Sequence, residues 1–259
     1  GRLRALRQEN AGATAARNNG LAAATGRLVK FLDADDFLLP GALRAQVRFW
    51  EECHAVPEAG RIVFGEMQTI GGREATGSAY YPQLRKGRIL TLDALIARSP
   101  VTSMPLIPAD LLRGIGGFDP ALPCHQEYDL HLRLFLAGGN FIYHPDPVYT
   151  YRQHSGERLS RRWLKASEFE KLYQNYEDHY RMISEHQDGR IEEAVLVALA
   201  RNYWETGRWA LRSGQREPAK AFFSRARAIS PQAISGSFPY RLLCRILGPA
   251  VAERIGSYH

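Results

Sequence analysis

The chain has 259 residues, 45% of them hydrophobic and 24% charged, which is too apolar for a disordered chain and enough for one substantial core with a smaller second unit. It contains no run of about 18 or more apolar residues, and Gly1-Arg2-Leu3-Arg4-Ala5-Leu6-Arg7 lacks the apolar stretch and cleavage site of a secretory signal, so a cytoplasmic protein is expected. The net charge of +7 is uneven: residues 1–150 carry 16 basic and 15 acidic side chains and residues 151–259 carry 18 and 12, and without base-reading motifs this dispersed excess predicts no nucleic-acid partner.

Arg2–Gln8 reads as a short amphipathic turn, followed by a loop at Asn10–Ala13. Thr14–Ala24 is rich in helix formers and ends near Gly26. Leu28-Val29-Lys30-Phe31-Leu32 reads as a buried strand with the acidic run Asp33-Ala34-Asp35-Asp36 at its C-terminal end. A helix is expected from Pro40 to about Cys53, a strand at 61–67, a mobile glycine-rich loop at 71–88, a helix at 90–97, and an extended piece at 106–108 before a helix at 109–115. A turn at Gly116-Gly117-Phe118-Asp119, a helix at 128–137 and two strands at 141–143 and 148–151 complete an α/β pattern. From about Leu159 the periodicity is helical only: 162–186, 190–213, 217–229 and a last amphipathic stretch at 240–255. Cys53, Cys124 and Cys244 stand far apart and are expected as buried thiols.

The acidic run is the sharpest chemical feature. Asp33 and Asp35 on one side of a strand end repel each other unless a cation or donors offset the charge. Hard divalent cations favour such oxygen ligands, and a diphosphate can complete their coordination. A solvated acidic turn capping the following helix is the alternative.

Five motifs occur in one order: Asn10-x-Gly12, Ala16-Arg17-Asn18-x-Gly20, Asp33-x-Asp35-Asp36 after its apolar strand, Gly116-Gly117-Phe118-Asp119 with Gln126-Glu127-Tyr128-Asp129, and Tyr151-Arg152-Gln153-His154. Together they resemble the family 2 glycosyltransferases of GT-A fold over roughly residues 8–156. The resemblance implies an α/β, GT-A-type (Rossmann-like) mixed sheet at 1–156 and an all-α region at 157–259. It implies a metal-dependent inverting transferase that moves a sugar from a nucleotide-sugar donor to a glycan, lipid-linked or protein hydroxyl. Asp33, Asp35 and His154 would hold Mg²⁺ or Mn²⁺, Asn10, Arg17, Asp33 and Asp36 would contact the nucleotide sugar, and Glu127 would be the catalytic base. Gln126-Glu127 stands where the family more often has Glu-Asp. Arg133 is expected to fix its helix rather than touch substrate.

The family domain normally opens with strands that residues 1–9 do not supply, so the sheet is expected to lack its first strands and this chain to have little activity alone. Tyr203, Gly207, Gly214, Ala219, Phe223, Ala226 and Pro231 resemble one tetratricopeptide helix pair at about 199–231. The arginine-bearing last helix suits either contact with an anionic bilayer, peripheral at the inner face of the membrane, or docking on its neighbours. Two rival functions stay open: a haloacid dehalogenase-type phosphatase with Asp33 as nucleophile, and a helical adaptor on a degenerate transferase remnant.

Overall fold

The computed structural model describes residues 3–70, 80–152, 164–234 and 236–256. The chain divides into two compact units, one of Gly1–Thr91, Ser99–Ala121 and His125–Gly156, the other of Leu92–Arg98, Leu122–Cys124 and Glu157–His259.

In the first unit, α1 (Gly12–Ala23) precedes the short strands β1 (Leu28–Val29) and β2 (Phe37–Leu38), then α2 (Ala42–Glu52) and β3 (Arg61–Ile70). Next come β4 (Pro105–Pro108), α4 (Ala109–Gly114), α5 (Gln126–Leu136) and β5 (Asn140–Arg152), with α3 (Leu92–Ala97) assigned to the second unit. The five described strands lie in the order β1-β4-β3-β5-β2. Only β3 and β5 are parallel; the other pairs are antiparallel. This is a mixed sheet with helices, an α/β fold.

The core beneath α2 is Phe49, Trp50, Val56, Val63, Leu106 and Ile142. It encloses a buried cation: Arg61 donates to the Trp50 and Val56 carbonyls and stacks on the Trp50 ring, while Trp50 Nε1 donates 2.7 Å to the Arg61 carbonyl. Every apolar-facing donor of that pair is satisfied, which is the condition for burying it.

Several elements differ from the sequence expectations for identifiable reasons. Residues 3–11 form no regular element and are exposed, because Leu3 and Leu6 find no apolar surface. The strand at 28–32 is ladder-paired only at Leu28–Val29. Gly41 has φ +78°, a left-handed conformation that cannot continue into a helix, so α2 starts after it rather than at Pro40.

The two strands expected at 141–143 and 148–151 are one, β5. Its register against β3 shifts on either side of Glu66, where the run His144-Pro145-Asp146-Pro147 bulges out and leaves its two prolines without ladder donors to satisfy. Gly65 makes room, since a Cβ there would lie 2.4 Å from Val148 and 2.8 Å from the Asp146 carbonyl. Residues 71–79 of the glycine-rich stretch lie outside the described residues.

The second unit is built on α6 (Ala166–His186), α7 (Glu193–Arg212) and α8 (Arg216–Ile229). Aromatic edges from Phe169, Tyr176, Tyr203 and Phe222 fill their interior, each ring contributing roughly 1.5–3 kcal/mol by burial. Glu177 on α6 ties all three helices: it accepts from Tyr203 of α7 and two bonds, of 2.7 and 2.8 Å, from Arg225 of α8. The stretch expected as one helix at 240–255 is two, α9 (Phe238–Ile246) and α10 (Pro249–Gly256). Gly248 at φ +83° followed by Pro249 breaks it. Cys244 is buried as expected, but Cys53 and Cys124 are only half-buried. No described helix is long and apolar enough to cross a membrane.

Where α7 faces α8, a Cβ on Gly207 would lie 2.9 Å from the Phe223 ring and 3.2 Å from Phe222. Gly207→Val is therefore expected to destabilise the helical unit by about 1–3 kcal/mol, read as a lower thermal midpoint by circular dichroism.

Candidate active site

The acidic turn follows β1. The buried Phe31 holds the chain to the core just before it, and the turn closes with a 3.1 Å bond from the Asp36 amide to the Asp33 carbonyl. The exit is β2, paired with the last residues of β5 in the register Phe37–Thr150 and Leu38–Tyr149. Asp33 is engaged on both sides: Arg17 Nη2 lies 2.5 Å from its carboxylate, and its amide donates to Ser103 Oγ at 3.3 Å. Its side chain keeps 35% of its exposure. Asp35 is exposed and Asp36 half-buried. Below them, burial first and then the Asp36 and Asp33 carboxylates hold the Tyr149 phenol protonated far above its ordinary range.

The neighbouring Asn18 places α1 with both ends of its amide. Its Nδ2 donates 2.8 Å to the Phe118 carbonyl and its Oδ1 accepts 2.9 Å from the Phe118 amide. Gly117 has φ +71°, and a Cβ on it would come within 2.6 Å of Asn18 Oδ1, so only glycine suits that position. The Phe118 ring lies under the Arg17 guanidinium, 5.2 Å from ring centroid, and edge-on to Phe31.

From the same turn the connection runs to α5. Arg133 donates to the Ile115 and Gly117 carbonyls and pairs with the buried Asp129 at 2.5 Å, so it fixes the helix. Glu127 stands half-buried in the first turn of that helix, after His125 at φ +57°. A non-glycine residue in the left-handed region costs of order 1 kcal/mol and is held there only by its surroundings. Asp33, Arg17 and the Glu127-bearing helix thus belong to one hydrogen-bonded chain of supports. Asn10 is exposed, and its Oδ1 accepts from the Gly12 amide at the start of α1. His154 lies outside the described residues.

Among the described residues no group of three His, Cys, Asp or Glu side chains forms a protein-only metal cage. Mg²⁺ in particular is commonly held by one or two carboxylates, with substrate phosphate and water in the remaining positions. Asp33 and Asp35 are carboxylates of the acidic turn that are of this chemical kind, the one half-buried and the other exposed.

Lys30 and Ser103 are parts of the site that the motifs do not mark. Lys30 is half-buried, its Nζ donating 3.0 Å to the Met104 carbonyl, which also takes 2.9 Å from Gln46. Ser103, beside that carbonyl, is fully buried and receives the Asp33 amide. The readable signal was a lysine inside an apolar run. Glu66 is the third: buried, it accepts from the Tyr80 and Tyr81 amides and from Tyr143 Oη at 2.6 Å.

With this geometry described, the relatives are informative. Residues 1–97 match the family model of glycosyl transferase family 2. The chain is 30% identical over 162 residues to a pre-mycofactocin glycosyltransferase of Mycobacterium tuberculosis, covering 61% of this chain and 33% of that protein. It is 26% identical over 148 residues to an uncharacterized glycosyltransferase of Rickettsia bellii, covering 54% of this chain and 20% of that one. The chain therefore spans between a fifth and a third of the length of these curated relatives. In three dimensions it resembles the crystal structure of S. aureus TarS 1–349 in complex with UDP-GlcNAc, with a TM-score of 0.70 at 19% identity, over 98% of this chain and 74% of that one. The fold is that of a GT-A glycosyltransferase, with a helical region after it. The first 97 residues thus resemble glycosyl transferase family 2, and the curated relatives are glycosyltransferases by name. None of these relatives is a phosphatase by name.

Burial draws the Lys30 ammonium down to about 7 from 10.5. Between those two values the unfolded chain holds a proton that the folded chain does not, so this group makes stability rise with pH across that window. Lys30→Met is expected to flatten the rise, measured as thermal midpoints from pH 7 to pH 10. Asn18→Ala, which orphans both backbone polar groups of Phe118, is expected to cost about 1–3 kcal/mol in urea unfolding.

Proposed function

We propose that this chain acts in a metal-dependent inverting glycosyltransferase that moves a sugar from a nucleotide-sugar donor to an acceptor hydroxyl. One observation carries the reading. The acidic turn after β1, gripped by Arg17, shares a single set of supports with the helix that presents Glu127. The family match and the GT-A fold support it.

In this reading Asp35 and Asp33, with His154 as a third ligand, hold Mg²⁺ or Mn²⁺ against the donor diphosphate. Such a cation neutralises charge on the departing nucleoside diphosphate. Arg17 holds Asp33 in place and adds positive potential beside the diphosphate, while Asn10 and Asp36 border the nucleotide. Glu127 accepts the proton of the acceptor hydroxyl as that oxygen attacks the anomeric carbon. Proton transfer of this kind needs the base within hydrogen-bond reach of the attacking hydroxyl. The bond from the anomeric carbon to the diphosphate oxygen breaks as the new glycosidic bond forms on the opposite face. The proton ends on Glu127 and the electron pair on the diphosphate.

The donor captured by TarS makes UDP-GlcNAc the first donor to test, and the acceptor is a glycan, lipid-linked or protein hydroxyl. We place the protein in the cytoplasm, where nucleotide sugars are made.

UDP with Mn²⁺ is expected to raise the thermal midpoint of the chain, and Asp35→Ala to remove that gain; no stabilisation of the wild-type chain by any nucleoside diphosphate with Mn²⁺ would overturn the reading. In a form that turns over, Glu127→Gln is expected to lower kcat by roughly 10²–10⁴ while leaving the Mn²⁺-dependent nucleotide shift intact.

A further inference from the structure

The two C-terminal helices have one docked face and one bare face. The docked face is well defined: Cys244 and Ala252 are buried, the Arg208 guanidinium lies over the Tyr240 ring at 4.5 Å, and Glu253 pairs with Arg208 and Arg212 of α7. Docking on neighbouring helices therefore uses Tyr240, Cys244, Ala252 and Glu253, and it neutralises the one acidic side chain of the segment.

On the opposite side of α9, Phe238, Leu242 and Ile246 recur every four residues as an exposed apolar ridge, with Phe238 70% and Ile246 68% exposed. Arg241 and Arg245, both exposed, form a second ridge directly beside it, since positions three and four apart share a helix face. Leu247 and Val251, on either side of the Gly248 break, are also exposed. Nothing acidic is interleaved in α9, whose sequence is Phe-Pro-Tyr-Arg-Leu-Leu-Cys-Arg-Ile.

We propose that this face is a peripheral docking surface for an anionic phospholipid bilayer. The apolar ridge would enter the boundary between headgroups and acyl chains, and the two arginines would lie at the level of the lipid phosphates, their stems along the ridge and their guanidinium groups in the polar layer. Charge complementarity selects this occupant over a second copy of the chain, because a self-paired face brings like-charged arginine ridges together, whereas an anionic surface attracts both. The proposal is independent of the transfer reaction: it draws on α9 and α10 alone and places no catalytic residue.

The test is co-sedimentation of the purified chain with large unilamellar vesicles, either phosphatidylcholine alone or equimolar phosphatidylcholine and phosphatidylglycerol. Binding is expected to the anionic vesicles only and to weaken as salt is added. Arg241→Gln with Arg245→Gln is expected to weaken it about thirty-fold, roughly fivefold for each charge. Phe238→Ser with Ile246→Ser is expected to abolish it. All four positions are exposed, so both variants should keep the wild-type circular dichroism and thermal midpoint. Arg216→Gln, which removes the same charge from an exposed position on α8, is expected to bind as the wild type does. Three results would each overturn the proposal: no sedimentation of the wild-type chain with anionic vesicles, full binding by the Phe238/Ile246 variant, or a wild-type dimer in light scattering that both double variants dissolve.

Discussion

The side chain of Asn18 is the constraint on which the first unit's functional region depends. One amide, on a helix near the start of the chain, satisfies both backbone polar groups of Phe118, a hundred positions later. That contact forces glycine at 117 and sets the Phe118 ring between Arg17 and Phe31. The Gly117 carbonyl in turn receives Arg133. The result is that α1 carries two functions on adjacent residues: Asn18 fixes the helix, and Arg17, one residue earlier, is thereby aimed at Asp33. A partly exposed ion pair is worth little by itself, so it is the clamp, more than the charge, that keeps Arg17 in place.

Polar groups buried below the site show the same economy. Lys30, Gln46 and Ser103 converge on the segment around Met104, and Glu66 gathers two amides and a phenol. Each buried polar atom that finds a partner offsets a desolvation cost, and each one left without would raise it. A segment held by side-chain bonds of this kind cannot slide without breaking several at once, which suits a backbone that must present Asp33 in one orientation.

The helical unit is held by a different logic. Its interior is aromatic, and Glu177 links three helices through Tyr203 and Arg225. Gly207 lets α7 and α8 approach to the distance that makes Phe223 a shared core residue. The amphipathic C-terminal segment has to be both a packing element and a surface, and the Gly248-Pro249 break lets α10 turn back so that Glu253 meets Arg208 while the ridge on α9 stays bare.

Periodicity and composition sufficed for the α/β pattern followed by helices, because burial of an apolar face is written in local spacing. The helices α1, α2, α5 and α6 to α8 were legible within a few residues for that reason. The acidic run was legible because three carboxylates in four residues are conspicuous in any fold, and its meaning came from the order of the motifs. What the sequence could not state was which side chain meets which. That Arg17 grips Asp33, that Asn18 clamps Phe118 and that α3 joins the helical unit are matters of pairing between distant residues. The single strand β5 escaped detection because two prolines look like a break until a bulge opposite Gly65 accommodates them. Local sequence determined most of the helices and the presence of an acidic centre; only the tertiary structure decided the continuity of β5 and the hydrogen-bond partners, because these depend on through-space approach across as many as a hundred residues, which no local periodicity records.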